Sequence, residues 1–122
     1  MVGYVVDNMA STLKFYRALG LPIPEALDGE DYAQVIVNGY RLSWNTVSMV
    51  KGFDPHWQAP TGSARVSVAF KCDTPAEVDH THHSLVTAGY RSHKAPWDAF
   101  WGQRYAQVLD PDGNVVDLFA AL

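Results

Sequence analysis

The chain repeats one small set of hydrogen-bonding side chains. Tyr-Ala-Gln-Val stands at residues 32–35 and again at 105–108, an offset of 73. In extended chain, alternate side chains share a face. Tyr32 then lies with Gln34, and Tyr105 with Gln107, while Val35 and Val108 take the other side. Phenol and carboxamide groups orient a ligand without breaking its bonds. Aromatic rings cluster in two loop-like stretches: Phe53 and Trp57 in one, Trp97, Phe100 and Trp101 in the other. Indole faces stack on planar molecules and attract cations. Such rings line an apolar slot, plug the end of a sheet or cover a dimer interface, where Trp is also enriched.

Other reactive groups carry less. His80 and His83 sit three apart in a helical stretch, so they share a face. With His82 they look like a metal cluster, but on an outer helix that also carries Asp79 they are read as a solvated flank, with His82 packed along the apolar stripe. His56 and His93 stand alone. Cys72 reads as a small buried hydrophobe, because a reactive thiol needs exposure and a basic neighbour. The sequence has no phosphate-cradling glycine loop, no dinucleotide fingerprint and no nucleophile elbow.

Composition sets bounds. The chain has 122 residues, 48% hydrophobic and 18% charged, enough for one core. Its net charge of −4 argues against nucleic acid, whose binders need clustered Lys and Arg. A single cysteine excludes an internal disulfide. No apolar run reaches membrane-spanning length. No export signal is read after Met1, so the expected location is the cytoplasm.

The elements that must position these groups follow a doubled plan. Residues 2–6 read as a strand, with Asp7 or Asn8 as cap for the next helix. Met9, Thr12, Leu13, Tyr16 and Leu19 give that helix an apolar face, and Gly20 ends it. Residues 31–37 and 40–47 flank Asn38-Gly39, a strong hairpin signal. An extra edge strand is expected near 23–27. Residues 49–64, rich in Gly and Pro, read as a linker. Then come a strand at 65–72 and a helix opened by Thr74-Pro75. Val78, His82, Leu85 and Val86 form its buried stripe, and Gly89 stops it. An edge strand at 90–95, a Trp-rich loop and a second hairpin around Pro111-Asp112-Gly113 close the chain. The two glycine stops lie 69 residues apart, close to the offset of the tetrapeptides. An internal duplication explains both periods; the alternative is two unrelated hairpins.

Val5-Val6-Asp7-Asn8, Ser11-Thr12-Leu13-Lys14-Phe15-Tyr16 and Leu19-Gly20-Leu21 resemble the opening of the vicinal oxygen chelate superfamily. Trp101-Gly102-Gln103-Arg104-Tyr105 and Asp110-Pro111-Asp112-Gly113-Asn114 resemble its ending. That superfamily includes glyoxalase I, extradiol dioxygenases, fosfomycin-resistance thiol transferases and bleomycin-binding proteins. The resemblance implies an α+β fold of two βαβββ modules, with curved mixed sheets around a shared cavity. It gives one domain over 1–122: module one 1–52, linker 53–63, module two 64–122.

It also implies four metal-ligand slots on inward strand positions. Matching Gly39 to Gly113 places them at Met1, Ser43, Ser67 and Asp117. Only Asp117 is a credible ligand, and a catalytic metal needs about three, so no metal and no cofactor are expected. If Ser43, Ser67 and Asp117 face the implied cavity, alternation adds Arg41, Asn45, Arg65 and Phe119. With Tyr32, Gln34, Tyr105, Gln107, Trp57, Trp97 and Trp101 they form the expected ligand site.

The resulting expectation is metal-independent sequestration of a small aromatic or amphipathic molecule, as in antibiotic-resistance proteins of the bleomycin-binding type. The alternative is a lyase, isomerase or dioxygenase of the same fold, with Tyr32 or Tyr105 moving a proton. A homodimer is expected, because a two-fold pair buries sheet edges.

Overall fold

Val-Gly-Tyr-Val-Val forms strand β1 (Val2–Val6). Asn8 caps helix α1 (Met9–Leu19), its side chain accepting from the Ser11 amide. Gly20 ends the helix at φ 115, a conformation that costs other residues strain. Strands β2 (Tyr32–Val37) and β3 (Tyr40–Thr46) pair antiparallel across Asn38-Gly39, both at positive φ. Strand β1 adds parallel to β3, giving the order β1-β3-β2. On one side Trp44 is fully buried and packs against Tyr16 of α1, ring centroids 5.1 Å apart.

The edge strand expected at 23–27 is absent. A 3-10 helix, Glu25–Gly29, takes its place. Pro24 enters it at φ −61, and Arg17 fixes the approach by donating to the carbonyls of Ile23 (2.7 Å) and Pro24 (3.1 Å). Arg17 also pairs with Asp28. The expected linker is likewise partly helical. Thr46 accepts from the Met49 amide at 3.2 Å and caps helix α2 (Val47–Phe53).

The second half begins with β4 (Ser67–Lys71). Thr74 caps helix α3 (Pro75–Thr87), accepting from the Glu77 amide. Strands β5 (Arg91–Ala99), β6 (Gln103–Leu109) and β7 (Val115–Ala121) complete a sheet of order β4-β7-β6-β5. Val78, His82 and Leu85 are buried on α3, whereas Val86 turns outward, 39% exposed. Arg104 on β6 holds Asp79 on α3 through two bonds of 2.8 and 3.2 Å. The fold is thus α+β, with two mixed sheets. The structure, a computed structural model, describes every residue from Met1 to Leu122 and divides into two units, Met1–Gly62 and Ser63–Leu122. No helix is long and apolar enough to cross a membrane.

Strand β5 is longer than expected. It runs through Pro96 and Trp97, with register shifts between Ser92 and Lys94 and between Lys94 and Trp97. Bulges break the two-residue alternation that marks a strand in sequence. Proline is tolerated there because β5 is an edge strand. Trp97 therefore belongs to the sheet, and only residues 100–102 form the turn to β6.

One ionisable group ties α3 to this edge. His82 Nε2 lies 2.8 Å from Ser92 Oγ, and the residue is buried. Burial lowers its pKa from 6.5; Asp79 opposes the shift and His83 adds to it. The unfolded chain then takes up the proton more readily than the folded one, so stability falls as pH drops below 6.5. Thermal melts should show the wild-type chain losing more Tm than His82→Gln between neutral pH and pH ~5. Equal losses would contradict this assignment.

Candidate functional site

The register of the second sheet assembles the site. Tyr105 pairs with Phe119, Gln107 with Asp117, and Trp97 with Tyr105. Ala69 pairs with Asp117, which brings Ser67, two residues earlier on β4, to the same face. The opposite face carries the buried Ala106, Val108, Val116, Leu118 and Ala120.

Asp117 is the centre. It is 5% exposed, and a carboxylate so buried must be hydrogen-bonded. Ser67 Oγ donates to Oδ2 at 2.9 Å, and Tyr105 Oη donates to the same oxygen at 3.1 Å. Gln107 Nε2 donates to Oδ1 at 2.8 Å. These donors come from β4 and β6, which flank β7. Burial, then the Asp117 charge and its hydrogen bond, push the Tyr105 phenol up to about 12.

Aromatic rings stand beside this group. Tyr105 lies 5.3 Å from Trp97, 5.5 Å from Trp101 and 6.2 Å from Phe119, centroid to centroid. Trp97 and Trp101 meet edge to face at 6.2 Å. Phe100 packs on Trp101 at 5.1 Å but is itself 98% exposed. Trp101 Nε1 donates to Gln103 at 2.8 Å, which fixes its ring. The Lys94 ammonium sits 3.8 Å from the Trp97 ring centre.

Of the residues expected in the site, the second unit brings together Ser67, Trp97, Trp101, Tyr105, Gln107, Asp117 and Phe119. Arg65 is not among them; it lies in an exposed bend before β4, where strand alternation does not reach. Lys94 and Gln103 join this group without having been expected there. Gln103 could have been found two residues before Tyr105, whereas the bulges hid Lys94.

The first unit carries the corresponding face in a different state. Gln34 pairs with Ser43 and Tyr32 with Asn45. Tyr32 Oη donates to Gln34 Oε1 at 2.9 Å. The same tetrapeptide therefore bonds within itself where Ser43 replaces a carboxylate. Ser43 is buried, Asn45 half-buried and Arg41 exposed. Trp57 is half-buried in a turn closed by its amide on the Asp54 carbonyl at 3.1 Å.

The donor set does not fit a divalent metal. Gly3 pairs with Ser43 as Ala69 pairs with Asp117, so Met1 occupies in unit one the place of Ser67 in unit two. Met1, Ser43 and Ser67 offer no imidazole or carboxylate. Both oxygens of Asp117 already accept hydrogen bonds from neighbours. No three His, Cys, Asp or Glu side chains converge elsewhere.

The Tyr105–Asp117 bond gives a direct optical test. Absorbance titration should show a tyrosine transition near pH 12 that Asp117→Asn moves down, whereas Tyr90, whose phenol burial also raises, should keep its own. A transition unmoved by Asp117→Asn would contradict the bond.

Known proteins share this fold. The family model "Glyoxalase/Bleomycin resistance protein/Dioxygenase superfamily" matches residues 1–118. A family enzyme of that description from Burkholderia phytofirmans PsJN superposes with a TM-score of 0.86 at 20% identity, covering 99% of this chain and 96% of that one. A glyoxalase-related enzyme from Fulvimarina pelagi gives 0.81 at 18% identity, covering 97% and 84%. The Bacillus subtilis (strain 168) uncharacterized protein YraH is 27% identical over 124 residues, 97% of this chain and 94% of its own. By the family match over nearly its whole length, this chain belongs to the glyoxalase/bleomycin resistance protein/dioxygenase superfamily.

Proposed function

We propose that the chain binds a small aromatic or amphipathic molecule on the Trp97–Trp101–Phe119 face, without a metal, as an antibiotic-sequestering protein would. The observation that carries this reading is the buried Asp117 with three donors, set beside half-open aromatic rings. Rings supply apolar contact and the polar cluster supplies orientation, the usual composition of a ligand pocket. The enzymatic alternative needs a proton acceptor near neutral pH. Tyr105, with its phenol near 12 and its proton committed to Asp117, serves poorly in that role.

Saturable quenching of Trp fluorescence by an aromatic ligand, without turnover, is the expected result. Trp97→Ala or Trp101→Ala should weaken binding roughly 3- to 10-fold, the size of one aromatic contact. Silence across a broad panel of antibiotics would contradict sequestration. A Tm raised by Zn, Ni, Mn or Fe and lowered by EDTA would contradict the metal-free reading.

We also propose that two copies pair along β2, which ends its sheet. Asp31 O accepts from Thr46 N at 3.0 Å, and Val37 pairs with Tyr40 across the two-residue turn. In that ladder Tyr32, Gln34 and Ile36 aim their backbone groups outward. The strand carries no charge and no proline, and Ile36 is 58% exposed. The other sheet's β5 edge, by contrast, is broken by bulges and Pro96. Gln34→Pro removes an outward N–H and no ladder bond, so it should convert a sedimenting dimer to monomer. A wild-type monomer at micromolar concentration would contradict pairing.

A further inference from the structure

The hydrogen bonds around Asp117 run in one direction, and that direction restricts the ligand. A hydroxyl has one proton to donate and two lone pairs. Ser67 and Tyr105 both commit their proton to Asp117 Oδ2, so each presents lone pairs to whatever lies beside it. Gln107 aims its amide nitrogen at Oδ1, which turns its carbonyl oxygen away from the carboxylate. The Trp101 indole proton is likewise committed, to Gln103. The aromatic faces that complete the patch carry the negative side of the ring quadrupole. Its centre is therefore a set of acceptors around a buried negative charge.

The chain already places a cation against this surface. Lys94 faces the patch opposite Gln107 and holds its ammonium 3.8 Å from the Trp97 ring centre. Lys71 lies at the other end, paired with Phe119. Both lysines are exposed and stand at the margins. An anion at the centre would meet lone pairs and the Asp117 charge; a protonated amine would meet acceptors.

We propose that this face selects an aromatic amine: a ligand with a planar apolar body and an ammonium donor, the ring against Trp97, Trp101 and Phe119 and the nitrogen toward Tyr105 Oη and Gln107 Oε1. This rests on the binding reading above and adds the ligand's charge and polarity to it.

Three probes sharing one ring separate the two claims: 1-naphthylmethylamine, 1-naphthalenemethanol and 1-naphthoate. Each is titrated into the full chain while the indole N–H signals of Trp97 and Trp101 are followed by NMR. The amine should bind about tenfold more tightly than the carboxylate, with the alcohol between them. Asp117→Asn puts a donating amide at the centre and lets the neighbouring hydroxyl protons turn outward. The preference should shrink toward unity in that variant. Equal or tighter binding of the carboxylate, or an unchanged preference in Asp117→Asn, overturns the inference and leaves the binding reading standing. No indole shift with any of the three overturns the binding reading, and this inference with it.

Discussion

A carboxylate 5% exposed to water is the constraint on which the second unit depends. Removing such a charge from solvent costs several kcal/mol unless hydrogen bonds replace the lost hydration. Asp117 obtains three, from strands on both sides of its own. The register of β4, β6 and β7 is thereby tied to one side chain, and a one-residue slip would send the donors to the other face. The rings follow from the same register, since Tyr105 is both a donor to Asp117 and the ring that Trp97, Trp101 and Phe119 surround. One interaction thus positions both the polar and the apolar half of the candidate site.

The duplicated half shows what the carboxylate changes. Tyr32 and Gln34 stand in the same ladder positions as Tyr105 and Gln107. Opposite Gln34 is Ser43, which brings no charge, and the Tyr32 phenol donates to Gln34 instead. Equal local sequence gives unequal chemistry because the deciding residue lies across the strand. The offset grows from 73 to 74 between the tetrapeptides and the Ser43–Asp117 pair. The second hairpin has one more turn residue: the Asp110 amide donates to the Asn114 carbonyl at 2.9 Å, whereas the first closes over Asn38-Gly39 alone.

Much of this was legible in the sequence, for identifiable reasons. Gly20, Gly89, Asn8 and Thr74 mark helix ends through backbone and capping chemistry that needs no tertiary partner. Asn38-Gly39 marks a hairpin in the same way. The alternation in Tyr-Ala-Gln-Val placed Tyr105 and Gln107 on one face. Three features were hidden because they depend on the tertiary fold or on broken periodicity. The 3-10 helix at Glu25–Gly29 is held by Arg17, more than a helical turn earlier in the chain. Helix α2 begins directly where β3 ends, so Val47 looked like the last strand residue. Strand β5 carries two register shifts and a proline, which erased its period and placed Trp97 in a loop. Lys94 was lost for the same reason. The direction of the three hydrogen bonds on Asp117 is set by the tertiary fold, since sequence alone does not say which donors reach it.

On the reading proposed above, Asp117 organises an acceptor-lined aromatic face for a small ligand. The most direct test of that reading is a crystal structure of the chain with 1-naphthylmethylamine. The ring should pack on Trp97, Trp101 and Phe119, with the ammonium on Tyr105 Oη or Gln107 Oε1 and Asp117 still bonded to Ser67, Tyr105 and Gln107. A probe bound elsewhere, or Asp117 released from its three donors to hold a metal ion, would contradict it.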